Sequence, residues 1–292
     1  MKIFNRQGQE VIVDQGQNNL LKSLYSHILG RCLLKVLTLP FITHIGGMYM
    51  NSSLSKGKIS SFIENNHIDM SQYEEQTYHS YNEFFTRKIK PGKRFIHMDN
   101  DVLIAPADSK LTYYPIYEDT HLKIKDSLYS LSDLLQNETL ANEYQGGICL
   151  IFRLTVDDYH RYCFIDEGTK EDDHYIAGKF HTVNPIANDY YPIYKQNSRS
   201  YSLLHTKNFD DVIYMEVGAM MVGRIVNHPL SSFHKGEEKG FFEFGGSTIV
   251  LFIKKDIVSI DEDIIQHSLS HHETKVLMGE KIGIQIKNSM IK

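Results

Sequence analysis

Apolar positions change rhythm along this chain. Leu20, Leu21, Leu24, Ile28, Leu33, Leu34 and Leu37 recur at intervals of roughly three to four, the spacing that lines one face of a helix. Pro40 ends or kinks that helix, because proline lacks a backbone donor. Further helices are predicted over about 58–70 and from Ser80 to Ile89. After Pro91-Gly92 the texture turns to short apolar runs broken by glycine, proline and asparagine. The runs at 147–152, 211–217 and 248–253 read as strands. A small hairpin is predicted within residues 1–15 around Val11-Ile12-Val13. The pattern predicts an α+β protein, with a helical N-terminal portion over 1–90 and a β-rich body over 91–292.

Length and charge narrow the class. A chain of 292 residues suits one large domain or one domain with an appended segment. A net charge of −5 argues against a nucleic-acid binder that works by phosphate neutralisation. Yet between Asn19 and Lys58 the charged residues are Lys22, Arg31, Lys35, Lys56 and Lys58, all basic. The basic amphipathic helix therefore has two readings: packed on the core, or lying on an anionic membrane surface with its leucines in the acyl boundary. No apolar run reaches the length of a spanning helix, and the N-terminus lacks a signal-peptide core. Three cysteines without C-x-x-C spacing suit a reducing compartment. These features predict a cytoplasmic chain, soluble or resting on a membrane face.

Candidate chemistry concentrates where an aromatic run, Phe241-Phe242-Glu243-Phe244, meets Gly245-Gly246-Ser247-Thr248. Paired glycines admit backbone conformations closed to other residues, so the Ser247 hydroxyl can turn back on the Gly246 carbonyl. Read alone, the same quartet is a tight hairpin. Other candidates carry less. His271-His272-Glu273 lacks zinc spacing and Glu171-Asp172-Asp173 lacks a calcium-loop pattern, so no metal site is predicted. No nucleotide motif is present. Arg199 is a candidate for meeting a substrate carboxylate or phosphate.

The surroundings of the quartet resemble the phosphatidylserine decarboxylase family over almost the whole chain. Lys235–Gly240 matches the lead-in to that family's self-cleavage motif, and Tyr81–Gly92 looks like its N-terminal signature. Ala105-Pro106-Ala107-Asp108 matches a block ending in a catalytic aspartate. Arg153-Leu154 with Asp158-Tyr159-His160-Arg161 resembles the histidine motif. Val183-Asn184-Pro185 and Glu216-Val217-Gly218-Ala219 fit further blocks, and all stand in the family's order.

The resemblance implies that Ser247 attacks the Gly246 carbonyl, splitting the chain into a β chain (1–246) and an α chain (247–292) that stay associated. It implies a pyruvoyl cofactor made from Ser247, which acts as an electron sink while phosphatidylserine loses carbon dioxide and becomes phosphatidylethanolamine. Asp108 is nominated as the carboxylate of self-cleavage and His160 as the acid of decarboxylation. It also implies a peripheral place on the cytoplasmic face of the membrane; oligomeric state is left open.

One position departs from the family pattern. A second histidine usually follows the first by three residues; here that position is Cys163. Three assignments for the self-cleavage base stand open: His160 serving both reactions, Cys163 itself, or a histidine elsewhere, with His181 as the candidate. A chain that no longer cleaves is a further reading. So are a lipid-binding β domain and a pyruvoyl decarboxylase of another amino acid or head group.

Overall fold

The computed structural model describes residues 1–11, 40–124, 127–178, 197–218, 224–245 and 247–287. The predicted helix at 19–39 lies outside them, as do Ile12-Val13, His181, Val183-Asn184-Pro185, Ala219 and Gly246.

A ten-stranded sheet dominates the described residues. Its order is Ile3–Phe4, Glu273–Val276, Ser109–Pro115, Ile148–Leu154, Ser247–Ile253, Asp211–Gly218, Arg199–Thr206, Gly168–Lys170 and Ser232–Phe233, with His174–Ile176 also pairing with Arg199–Thr206. Ile3–Phe4 runs parallel to its neighbour; the other pairings are antiparallel. Ser247–Ile253 is central and buried along its whole length, as expected of a strand whose two faces are both covered. Ile249 and Leu251 join Leu111, Phe152 and Tyr214 in the core of one face. Val250 and Phe252 join Ile151, Ile213 and Met215 on the other, where Leu131, Leu134, Leu135 and Ala141 from two short helices cover them.

Three smaller sheets flank this one. They are Ile225–Asn227 with Glu238–Phe242 and Arg161–Cys163; Val258–Ile260 with Lys281–Gln285 and Val102–Ile104; and His121–Ile124 with Ser127–Ser130. The class is α+β with a β-rich body, as the apolar rhythm predicts.

Local expectations are corrected at their edges. Among the described residues a helix covers Pro40–Asn51. The helix predicted over 58–70 is a 3₁₀ turn at Ser53–Lys58 followed by Ile59–Asn65. It stops because His67 is left-handed, with φ 51°. The next helix is only Tyr81–Phe85, and Ile89 beyond it bridges to Tyr73. At the N-terminus a turn does form, with Phe4 bridging Glu10, but Ile3–Phe4 also forms the edge of the large sheet. The Gly-Gly-Ser-Thr quartet is not a hairpin: Glu238–Phe242 and Ser247–Ile253 belong to different sheets.

Candidate active site

Ser247 opens the central strand, opposite Leu154 on one side and Gly218 on the other. It shares its face with Ile249, Tyr214 and Glu216, because alternate residues along a strand and direct cross-strand partners point the same way. Ser247 is 0% exposed, and its Oγ has no hydrogen-bond partner among the described residues. Leaving a buried hydroxyl unpaired costs about 1–3 kcal/mol. Thr248 Oγ1 and Ser202 Oγ share that condition among the described residues; Ser247 differs from them in directly following two glycines.

The segment before it is gripped from outside the sheet. Phe244 packs on Tyr81 and Phe85, with ring centroids 5.0 and 5.2 Å apart. Its backbone N–H donates to Asn82 Oδ1 at 2.8 Å, while Asn82 Nδ2 donates to Asn51 Oδ1 at 2.9 Å. Gly245 follows at φ 139°, a conformation that needs glycine. The gripping helix is well founded: Ser80 Oγ caps it by accepting from Glu83 N, and the Glu83 carboxylate accepts from His79 N. The Tyr81–Gly92 signature thus supplies the clamp on the cleavage loop.

His160 lies under the same clamp, 4.1 Å from the Phe85 ring and 1% exposed. Its Nδ1 is 3.0 Å from the Asp158 carbonyl. A carbonyl can only accept, so Nδ1 carries the proton and Nε2 the bare lone pair. Nε2 has no partner among the described residues. Burial pushes the imidazole pKa down to about 3, so the ring is neutral at ordinary pH. Asp158 is itself fixed: its carboxylate accepts from Lys110 Nζ at 2.6 Å and from Thr155 N at 2.7 Å.

Asp108 is placed differently from a simple relay. Its carboxylate takes a two-pronged contact from Arg94, with Nε to Oδ1 at 2.9 Å, and accepts from Met278 N at 2.9 Å. No histidine is among its hydrogen-bond partners in the described residues. Cys163 lies close enough for the Asp108 charge to act on its thiol. That thiol is buried, and burial pushes its pKa up to about 12. Glu238 faces Cys163 across the smaller sheet and accepts from Arg161 at 2.7 Å, with His228 Nε2 2.8 Å away.

The structure thus brings His160 and the Ser247 loop together through Phe85 and Phe244. Asn82, Phe85 and Arg94 are site residues that reading the sequence did not single out. Asn82 and Phe85 lie inside the Tyr81–Gly92 block and Arg94 just beyond it, so the block was the available signal. Arg199 is committed elsewhere: it donates to the Leu134, Asn197 and Asp133 carbonyls. Glu273 is committed to Arg153, and Glu171 contacts His205.

A family model described as Phosphatidylserine decarboxylase matches residues 81–284. The chain belongs to the phosphatidylserine decarboxylase family. The match begins at the clamp helix and includes Asn82, Phe85, Arg94, Asp108, His160, Cys163 and Ser247. Among relatives, "Phosphatidylserine decarboxylase proenzyme 2" of Clostridium acetobutylicum is 50% identical over 96% of this chain and 97% of its own length. The "Phosphatidylserine decarboxylase proenzyme" of Clostridium botulinum (strain 657) is 41% identical over 97% and 99%. That of Clostridium tetani is 41% identical over 97% and 98%.

Proposed function

We infer that this chain is a proenzyme that cuts itself between Gly246 and Ser247 and then decarboxylates phosphatidylserine to phosphatidylethanolamine. The observation carrying the inference is the Ser247 hydroxyl: fully buried, without a partner among the described residues, directly after two glycines. The names of the relatives agree with this reading.

His160 is the proton acceptor in the self-cleavage reaction. Its Nδ1–H is held by the Asp158 carbonyl, which leaves the neutral Nε2 as the atom to accept the hydroxyl proton. Ser247 Oγ then bonds to the Gly246 carbonyl carbon and the peptide C–N bond breaks, which leaves an ester and a free amine. Loss of the Ser247 α-proton expels Gly246 as a carboxylate and leaves dehydroalanine. Water hydrolyses its imine tautomer, ammonia departs, and a pyruvoyl group stands at residue 247. An unpartnered buried oxygen at that position suits such a group. Its ketone, once made, supplies the electron sink for loss of carbon dioxide.

The second reaction needs a proton delivered to carbon. We assign that delivery to His160 as well, once its Nε2 has taken up a proton. Asp108 assists by position: its carboxylate joins Arg94 of the β chain to the Met278 amide of the α chain. His181 stays the auxiliary candidate, and normal splitting in a His181→Ala chain removes it.

A membrane surface is the proposed workplace, on its cytoplasmic face. Ile45, Met48 and Tyr49 on the Pro40–Asn51 helix are exposed, Leu54 beside it is 80% exposed, and Lys56 and Lys58 follow. Apolar side chains rimmed by lysine suit an anionic bilayer surface. Among the described residues no helix is long and apolar enough to cross a membrane. We assign this surface contact to the part of the N-terminal portion, residues 1–90, that lies ahead of the Tyr81–Phe85 clamp, and 91–292 to the catalytic body. A chain lacking residues 1–50 is expected to float less with anionic liposomes; equal flotation removes the assignment.

Mass spectrometry of the denatured protein tests the core of the reading. The expected result is two fragments, the smaller beginning at a blocked residue 247, and one intact chain for Ser247→Ala. Carbon dioxide release from phosphatidylserine by the Ser247→Ala chain overturns it. Release from free serine but not from the lipid reassigns the substrate.

A further inference from the structure

Arg87 is a buried cation without an anion among the described residues. It is 1% exposed, and its guanidinium lies over the rings of Tyr73 at 4.3 Å and Phe84 at 4.8 Å. Its hydrogen bonds are long ones to neutral oxygens: Nη2 to the Tyr73 hydroxyl at 3.3 Å and Nη1 to the Phe84 carbonyl at 3.4 Å. Nε has no partner among the described residues, and no carboxylate there pairs with the side chain. The contrast with its neighbours is sharp, for Arg94, Arg153, Arg161, Lys110 and Lys239 each meet a carboxylate. Buried Lys235 instead meets two backbone carbonyls at 2.6 Å; a buried charge without such short contacts forfeits its hydration for little return.

Arg87 also lies within electrostatic reach of His160. Phe85, two residues earlier, covers His160, and the Arg87 charge is among those that disfavour the His160 imidazolium. Arg87 Nε and His160 Nε2 are both without partners among the described residues, and the rings they face, Phe84 and Phe85, are consecutive.

We propose that Arg87 receives the phosphodiester anion of the phospholipid substrate. The proposal rests on the functional reading above. Phosphatidylserine brings two anions, a carboxylate and a phosphodiester. A cation clamped on the carboxylate stabilises the charge that decarboxylation removes, and so opposes the reaction. On the phosphodiester it binds ground and transition states alike, which lowers KM and leaves kcat alone. The planar fork of an arginine fits two phosphate oxygens, and the flanking rings hold that fork in place.

The test uses the mature, split enzyme and a short-chain, water-soluble phosphatidylserine, so that surface docking plays no part. In Arg87→Gln, KM is expected to rise at least about tenfold with kcat within about twofold. Inhibition by glycerophosphoethanolamine should weaken in parallel, while inhibition by ethanolamine, which lacks the phosphate, should not change. Arg87→Lys keeps the charge but not the fork and should fall between. Thermal midpoint and chain splitting serve as fold controls, and Arg87→Lys carries the test alone should the glutamine chain not fold. A split, folded variant with unchanged KM and unchanged glycerophosphoethanolamine inhibition overturns the proposal, as does a loss confined to kcat. If the unsubstituted enzyme releases no carbon dioxide from phosphatidylserine, the functional reading fails instead.

Discussion

At the scale of single residues, the proposed reading gives His160 both proton-transfer roles and leaves Cys163 neither. The Cys163 thiol, pushed up to about 12, stays protonated at neutral pH, so it neither accepts a proton readily nor attacks. Cys163→Ala is therefore expected to split at the rate of the unsubstituted chain, followed by denaturing electrophoresis; slowed splitting returns the thiol to the mechanism. His160→Gln should not split at all. The same histidine also makes stability depend on pH. The unfolded chain takes up a proton here below about pH 6.5, whereas the folded one refuses it until about 3. Stability is consequently lost as pH falls from 6.5 towards 3. Urea midpoints of His160→Gln, compared with Ser247→Ala so that both chains are unsplit, should fall less between about pH 7 and pH 4. An equally steep fall in both contradicts the assignment of a buried neutral ring.

At the scale of elements, the five-residue helix Tyr81–Phe85 matters more than its length suggests. Through Asn82 it holds the Phe244 amide, and through Phe85 it covers His160. Asn82→Ala is expected to slow chain splitting several-fold while leaving kcat of the molecules that have split nearly unchanged. Equal losses in both point to general destabilisation instead. This helix also shows what a sequence can and cannot disclose. Its apolar spacing and Ser80 cap were legible, as were the runs that became Ile148–Leu154, Asp211–Gly218 and Ser247–Ile253. Its length was not, because Thr86 ends the helix and bonds back to the Asn82 carbonyl. Phe241-Phe242 and Ile249-Val250 flank two glycines as hairpin strands do, yet each pairs with segments far away in the chain. Local pattern carries no record of such partners. Asp108 was legible as a candidate through its motif; Arg94 as its partner was not, since that contact is made by the fold.

Across the whole molecule, the residues after the cut do not form a unit of their own. They supply the central strand Ser247–Ile253, the Glu273–Val276 strand between Ile3–Phe4 and Ser109–Pro115, and Lys281–Gln285 beside Val102–Ile104. Buried Arg153 and Glu273 join the two parts, with Nε to Oε1 at 2.7 Å and Nη2 to Oε2 at 2.6 Å. Arg6 reaches from the N-terminus to Asp261 and Asp263. After splitting, both fragments are expected to co-elute in gel filtration and to part only in denaturant. Free α chain under native conditions contradicts that. Replacing Glu273 with Gln removes the carboxylate that Arg153 meets across the two parts and should cost about 3–5 kcal/mol in urea unfolding.

A strand walled in on both sides also sets the terms of upkeep. The piece that bears the reactive ketone cannot be swapped for a fresh copy without dismantling its host. Nor can an outside protease reach the bond to make the cut on the molecule's behalf. Each molecule equips itself once, and when its ketone is spent by a side reaction the whole assembly is retired with it.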